Sequence, residues 1–167
     1  MAAVRERTRR AVAGSSPSAM TTRPPGGGWS VAEIFEHLCV ATTSYDRPVE
    51  RAIAKSRARS GTPRVHRSTL GGGFLIRALR PGTRNVPTLG PYVPLAARER
   101  VVEAFLGTLD NVERKMHEAD GLDLRVMLTS PVMPLLRLNL GEAFEVAVVH
   151  AERHLGQAER TRQAIGA

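Results

Sequence analysis

Apolar residues recur at helical spacing in three stretches of the chain, and no stretch alternates convincingly as a strand would. The first stretch follows the proline- and glycine-rich run RPPGGG at 23–28. In WSVAEIFEHL, 29–38, Ser30 followed three residues later by Glu33 reads as a capping box, and Trp29 with Ile34 has the spacing of a hydrophobic staple. From there Val31, Ile34, Phe35, Leu38, Thr42, Tyr45, Val49 and Ile53 keep the helical repeat, and Pro48 predicts a kink or a split. The second stretch, 95–119, carries Val102, Phe105, Leu106, Leu109, Val112 and Met116 on one face and is closed by Gly121. The third begins at Asn139, a good N-cap with Glu142 at the third helical position, and its stripe runs Phe144, Ala147, Val148, Ala151, Leu155, Ala158 and Ile165.

Between these helices lie two segments without regular periodicity. Residues 58–94 are rich in Gly, Pro and Ser and predict a long irregular loop between the first and second of these stretches, helices 2 and 3 of the four, with room for a short helix at 74–79. The triple glycine 71–73 inside it fits no phosphate-binding loop and reads as flexibility. The linker 122–138 is apolar, holds Pro131 and Pro134, and is expected to lie across the other elements. With a short N-terminal helix at about 3–13, stopped at Gly14, the pattern gives helices of about 11, 27, 24 and 26 residues. The natural packing for such a set is an all-α four-helix bundle.

Composition adds bounds rather than detail. A chain of 167 residues with 42% hydrophobic and 24% charged residues is expected to fold as one globular domain, 1–167. Its lone cysteine, Cys39, precludes an internal disulfide and fits a reducing compartment. No apolar run approaches a membrane span. The opening residues carry the twin arginine Arg9-Arg10 but no apolar core after it, so they read as a helix rather than an export signal, and a cytoplasmic location is expected.

The net charge of +8 brings nucleic acid into consideration. Between 47 and 84 nine Arg and one Lys face the single acid Glu50. No aromatic side chains are interleaved with them, and no helix-turn-helix or zinc-finger spacing occurs. A solvated basic loop is the preferred reading, with a patch for an anionic partner or nucleic acid as the alternative.

The candidate chemistry lies in the histidines. His150 and His154, in HAERHLGQ at 150–157, stand four apart on one helical face, with Ala147 and Gln157. His37 shares a face with Ile34, Ala41 and Tyr45 at the edge of the first core stripe. Two helices thus offer inward-tending imidazoles. Three neutral histidines suit zinc, nickel, iron or copper and leave coordination positions open. The competing reading is that all three are hydrogen-bonded residues beside the core. His66 and His117 receive no role. Glu33 is explained by its cap, Cys39 by burial and Tyr45 by core packing, while Gln157 is placed to line the site.

WSVAEIFEHL at 29–38 together with NLGEAFEVAVVHAERHLGQ at 139–157 resembles the DinB-like four-helix-bundle superfamily. The likeness covers nearly the whole chain in element order. It implies an up-down-down-up bundle, frequent homodimers, and a divalent metal, usually zinc or nickel, on ligands that match His37, His150 and His154. It further implies a metal-dependent enzyme of thiol S-transferase or hydrolase type, acting on a small-molecule substrate with a low-molecular-weight thiol as a candidate cofactor. A non-catalytic small-ligand-binding bundle is the alternative. A module binding anionic partners or nucleic acid through 47–84 is the third reading, and a membrane is not expected as a partner.

Overall fold

The computed structural model describes residues 1–59, 62–82, 87–88 and 90–166; residues 60–61, 83–86 and 89, within the predicted loop, and residue 167 lie outside the described set. The chain is mostly helical: α1 (Ala2–Val12), α2 (Pro17–Thr21), α3 (Val31–Ser44), α4 (Asp46–Ala58), α5 (Leu70–Leu79), α6 (Val101–Glu118) and α7 (Leu140–Ala164), with a 3-10 turn at Gly90–Tyr92. Among the described residues no helix is long and apolar enough to cross a membrane.

The two capping signals place the two helices that matter most. Ser30 Oγ accepts from the Glu33 amide at 3.3 Å and Glu33 Oε2 accepts from the Ser30 amide at 2.8 Å, which starts α3 at Val31. Asn139 and Glu142 close the same box at 2.9 Å in both directions and start α7. Each box satisfies two amides that a bare helix end would leave unpaired.

The expected break is real, and it falls at Tyr45 rather than at Pro48. Ser44, the last residue of α3, is four residues before Pro48 and is the one whose carbonyl a continuous helix would drive into the proline ring. The chain instead restarts at Asp46, so Pro48 sits in the first turn of α4, where its missing N–H costs nothing.

α1, α3, α6 and α7 share the larger core, built on Val31, Ile34, Phe35 and Leu38 from α3, Phe105 and Leu109 from α6, Ala151, Leu155 and Ala158 from α7, and Val4 and Ala11 from α1. A second core gathers Val49, Ala52 and Ile53 of α4, Ile76 of α5, and Leu140, Ala143 and Val146 of α7. The stripe of α7 therefore starts a turn earlier than its periodicity suggests, and Phe144 and Ala147 are only half-buried. On α6 the deepest position of the last turns belongs to Lys115, not Met116. Its ammonium pairs with Asp46 at 2.7 Å and Glu50 at 2.9 Å, which makes burial of a lysine tolerable. α6 is also shorter than expected, because Arg100 ahead of it takes a left-handed φ of 51°.

Two expectations are corrected. The linker 122–138 does hold strands: β1 (Met127–Thr129) pairs antiparallel with β2 (Arg137–Asn139), Leu128 opposite Leu138. Three residues are too few to display alternation, and the buried positions are this pair of leucines and the cap residue Asn139. The triple glycine is not a flexible stretch but the first turn of α5, which interrupts the predicted irregular loop. Thr69 caps it, and the buried Glu142 carboxylate receives the Thr69 hydroxyl at 3.0 Å. A Cβ on Gly72 would stand 2.2 Å from the Glu142 carboxyl carbon and one on Gly71 2.6 Å from Leu136. Glycine here permits close packing.

Candidate metal centre

His37 projects from the second turn of α3, and His150 and His154 project from adjacent turns of α7. Packing of α3 on α7 brings the three rings together. Their centroids are 5.1 Å apart for His37 and His150, and 4.6 Å for each of the other two pairs. Each ring offers one nitrogen, and the three nitrogens lie within 4.8 Å of one another. Nε2 of His37 is 3.1 Å from Nε2 of His150. Two imidazoles bound about 2.1 Å from a shared ion bring their nitrogens about 3.0–3.4 Å apart, so this pair already has a chelating separation.

Hydrogen bonds on the far side of two rings set which nitrogen is free. Nδ1 of His37 donates to the Tyr92 carbonyl at 2.8 Å, and Nδ1 of His154 donates to Oε1 of Gln157 at 2.8 Å. With those protons on Nδ1, both Nε2 atoms carry lone pairs, the form a metal ion requires. Burial lowers the pKa of His37, against the pull of the Tyr92 carbonyl. Burial, and then the neighbouring His154, His37 and Arg153, which would repel a proton there, hold His150 well below the usual range. His154 is pushed down to about 3, by burial first and then by His37. All three are therefore neutral at pH 7. The donor set is three borderline nitrogens with no carboxylate, which fits zinc, nickel or another late divalent ion, and the group can hold such an ion.

The profile of the DinB superfamily matches residues 1–158. The chain belongs to the DinB superfamily. No curated protein and no solved structure matches it.

In this DinB superfamily member the histidines form one wall of an open cleft of about 1090 Å³. Trp29 covers the rings from the start of α3, stacked on His154 at 6.3 Å and tilted over His37 at 5.0 Å. The staple residue of the cap is thus also a wall of the site. Tyr92 belongs to a strap, residues 90–98, that Arg98 pins to α3. The Arg98 guanidinium and amide hold the Glu36 carboxylate at 2.8, 2.6 and 3.1 Å, and this guanidinium draws the largely buried carboxyl below its usual range. The Tyr92 hydroxyl donates to the Pro131 carbonyl at 3.1 Å and Tyr45 meets Ser130 at 2.9 Å, so the β1–β2 turn closes the same end of the cleft.

The remaining sequence candidates sort cleanly. Gln157 lines the site as expected and orients His154. Glu33 caps α3 and binds Arg23 at 3.0 Å. Cys39 is buried with its sulfur toward the Val101 carbonyl, its thiol raised to about 11 by burial. Tyr45 reaches the cleft as well as the second core. His66 packs on Gly141 and lies 3.5 Å from Glu145, and His117 is exposed near the end of α6. Sequence reasoning missed Tyr92, Glu36 and Arg98. The Tyr92 contact uses a backbone carbonyl, which every residue carries, so no residue type announces it.

Proposed function

We propose that this DinB superfamily member is a metal-dependent enzyme of thiol S-transferase or hydrolase type, with His37, His150 and His154 holding a divalent ion, zinc or nickel. The observation that carries this reading is the convergence of three neutral imidazoles on a roomy cleft, two of them oriented by second hydrogen bonds. An ion there supplies Lewis-acid chemistry, lowering the pKa of a thiol or of water and so making a nucleophile at neutral pH.

The chain's own residues prepare that chemistry. The Tyr92 carbonyl and Gln157 hold two rings in the ligand tautomer, Trp29 shields them from bulk water, and the cleft receives the substrate. The chain's single cysteine faces α6 in the core, so a reacting thiol comes from a second, low-molecular-weight molecule. The up-down-down-up order of the long helices, a single domain over the whole chain and pairing of two copies belong to the same proposal.

The test is a conjugation screen of small thiols against electrophiles, alongside ester and amide substrates, with ion-loaded and chelator-stripped protein. Turnover that needs the ion and vanishes in His154→Ala is the expected result. Ion binding without turnover of any of these classes would favour the reading as a small-ligand-binding bundle, to which the apolar walls of the cleft also lend themselves.

A further inference from the structure

We infer that Glu36 and Arg98 are positioning residues for His37: their ion pair clamps the strap 90–98 onto α3 and so keeps the Tyr92 carbonyl on Nδ1 of His37, which holds that ring in the form a metal ion can use. This rests on the reading of the three histidines as an ion site and deepens it.

Glu36 and His37 are neighbours on α3, and both reach the same strap, one at Arg98 and the other at Tyr92. The Glu36 carboxylate takes Nε of Arg98 at 2.8 Å, Nη2 at 2.6 Å and the Arg98 amide at 3.1 Å. Glu36 is buried and so depends on these partners, whereas the Arg98 side chain is half exposed. The strap has little else to hold it. After the 3-10 turn, residues 93–98 form neither helix nor strand, and Pro94 is the one buried residue of the strap. The Tyr92 hydroxyl fastens the ring to the Pro131 carbonyl, which leaves the direction of Tyr92's own carbonyl to the chain on either side of it.

His37 has a second place for its proton. Its Nε2 lies 3.1 Å from Nε2 of His150, so one of those two nitrogens donates to the other. With Nδ1 bonded to Tyr92, His37 is the acceptor and keeps an Nε2 lone pair for an ion. With the carbonyl withdrawn, the proton can sit on Nε2 and point at His150, and that nitrogen is then closed to an ion.

The test reads the ring protons in the ion-free full chain, by proton–nitrogen correlation spectra of isotope-labelled histidine at neutral pH, with His37 assigned through His37→Gln. Wild-type His37 should carry its proton on Nδ1. In Arg98→Met, and in the double variant Glu36→Gln/Arg98→Met, which leaves no unpaired carboxylate behind, a large fraction of His37 should move it to Nε2. His154, held by Gln157, should keep its proton on Nδ1 in both and so report an intact fold. Arg98→Lys should lie between wild type and Arg98→Met. Zinc affinity against a chromophoric chelator should fall about tenfold in the two Met variants, the lower end of what a lost partner behind a ligand costs. A wild-type His37 with its proton on Nε2, or one that keeps it on Nδ1 in both Met variants, overturns the inference. A shift of His154 as large as that of His37 also overturns it, since the ion pair is then only a structural tie. So does zinc affinity that stays within twofold of wild type while His37 shifts. A wild-type chain that binds no zinc but shows the His37 shift removes the metal reading and leaves the clamp on His37 standing.

Discussion

Gln157 accepts a hydrogen bond from Nδ1 of His154 at 2.8 Å, from the next turn of the same helix. The bond fixes both the proton and the ring plane, so the opposite nitrogen points at the other two histidines. Replacing Gln157 by Leu keeps the bulk and removes the acceptor. Zinc affinity, measured against a chromophoric chelator, should then fall about 10- to 100-fold, the usual cost of losing a partner behind a ligand. Affinity unchanged within twofold would show that Gln157 does not orient the site.

Two glycines should respond to alanine with opposite signs. Gly107 lies within α6 with nothing within 4 Å of its would-be Cβ, so Gly107→Ala should stabilise the protein by up to about 1 kcal/mol through helix propensity. Gly72→Ala would push a methyl into the fully buried Glu142 carboxylate and should destabilise by about 1–3 kcal/mol. Chemical denaturation of the two variants decides the matter, and equal effects would contradict the packing described for α5.

Acid should reveal the cap of α3. The Arg23 guanidinium, and then the hydrogen bonds of Ser30, hold the Glu33 carboxyl below its usual 4.5. The unfolded chain takes up a proton near 4.5 while the native chain resists until lower pH, so this contribution is complete above 4.5 and is lost as pH falls through the native value. The stability margin of the wild type over Glu33→Gln should accordingly narrow between neutral and acid pH in denaturation midpoints. Parallel curves would mean that the carboxylate contributes no charge-dependent stability.

Pairing is open to a direct measurement. Light scattering at tens of micromolar should return about twice the 18.1 kDa of the chain if two copies associate through a twofold interface. A mass of one chain throughout that range would remove the dimer from the proposal.

What the sequence disclosed, and what it withheld, follows from how far apart the interacting groups lie along the chain. Ser30 with Glu33 and Asn139 with Glu142 are local pairs, so the starts of α3 and α7 were readable, and with them the faces that carry His37, His150 and His154. Glu36 and Arg98 are 62 residues apart, and one arginine among 22 has no mark to single it out. Lys115 occupies a core position because Asp46 and Glu50 arrive from another helix, so the helical period alone favoured Met116. The glycines of α5 looked flexible until Glu142, from 70 residues later, came to lie against Gly72. The β1–β2 ribbon is too short to leave a period.

The central claim is that the three histidines hold one divalent ion. The most direct test is elemental analysis of the purified chain and of His154→Ala after identical loading with zinc or nickel and exhaustive dialysis. The account predicts one ion per wild-type chain and none retained by the variant. The variant should keep its helical circular dichroism at a stability cost of about 1–2 kcal/mol. Wild-type protein that retains no ion, or a variant that retains as much as the wild type, would contradict it.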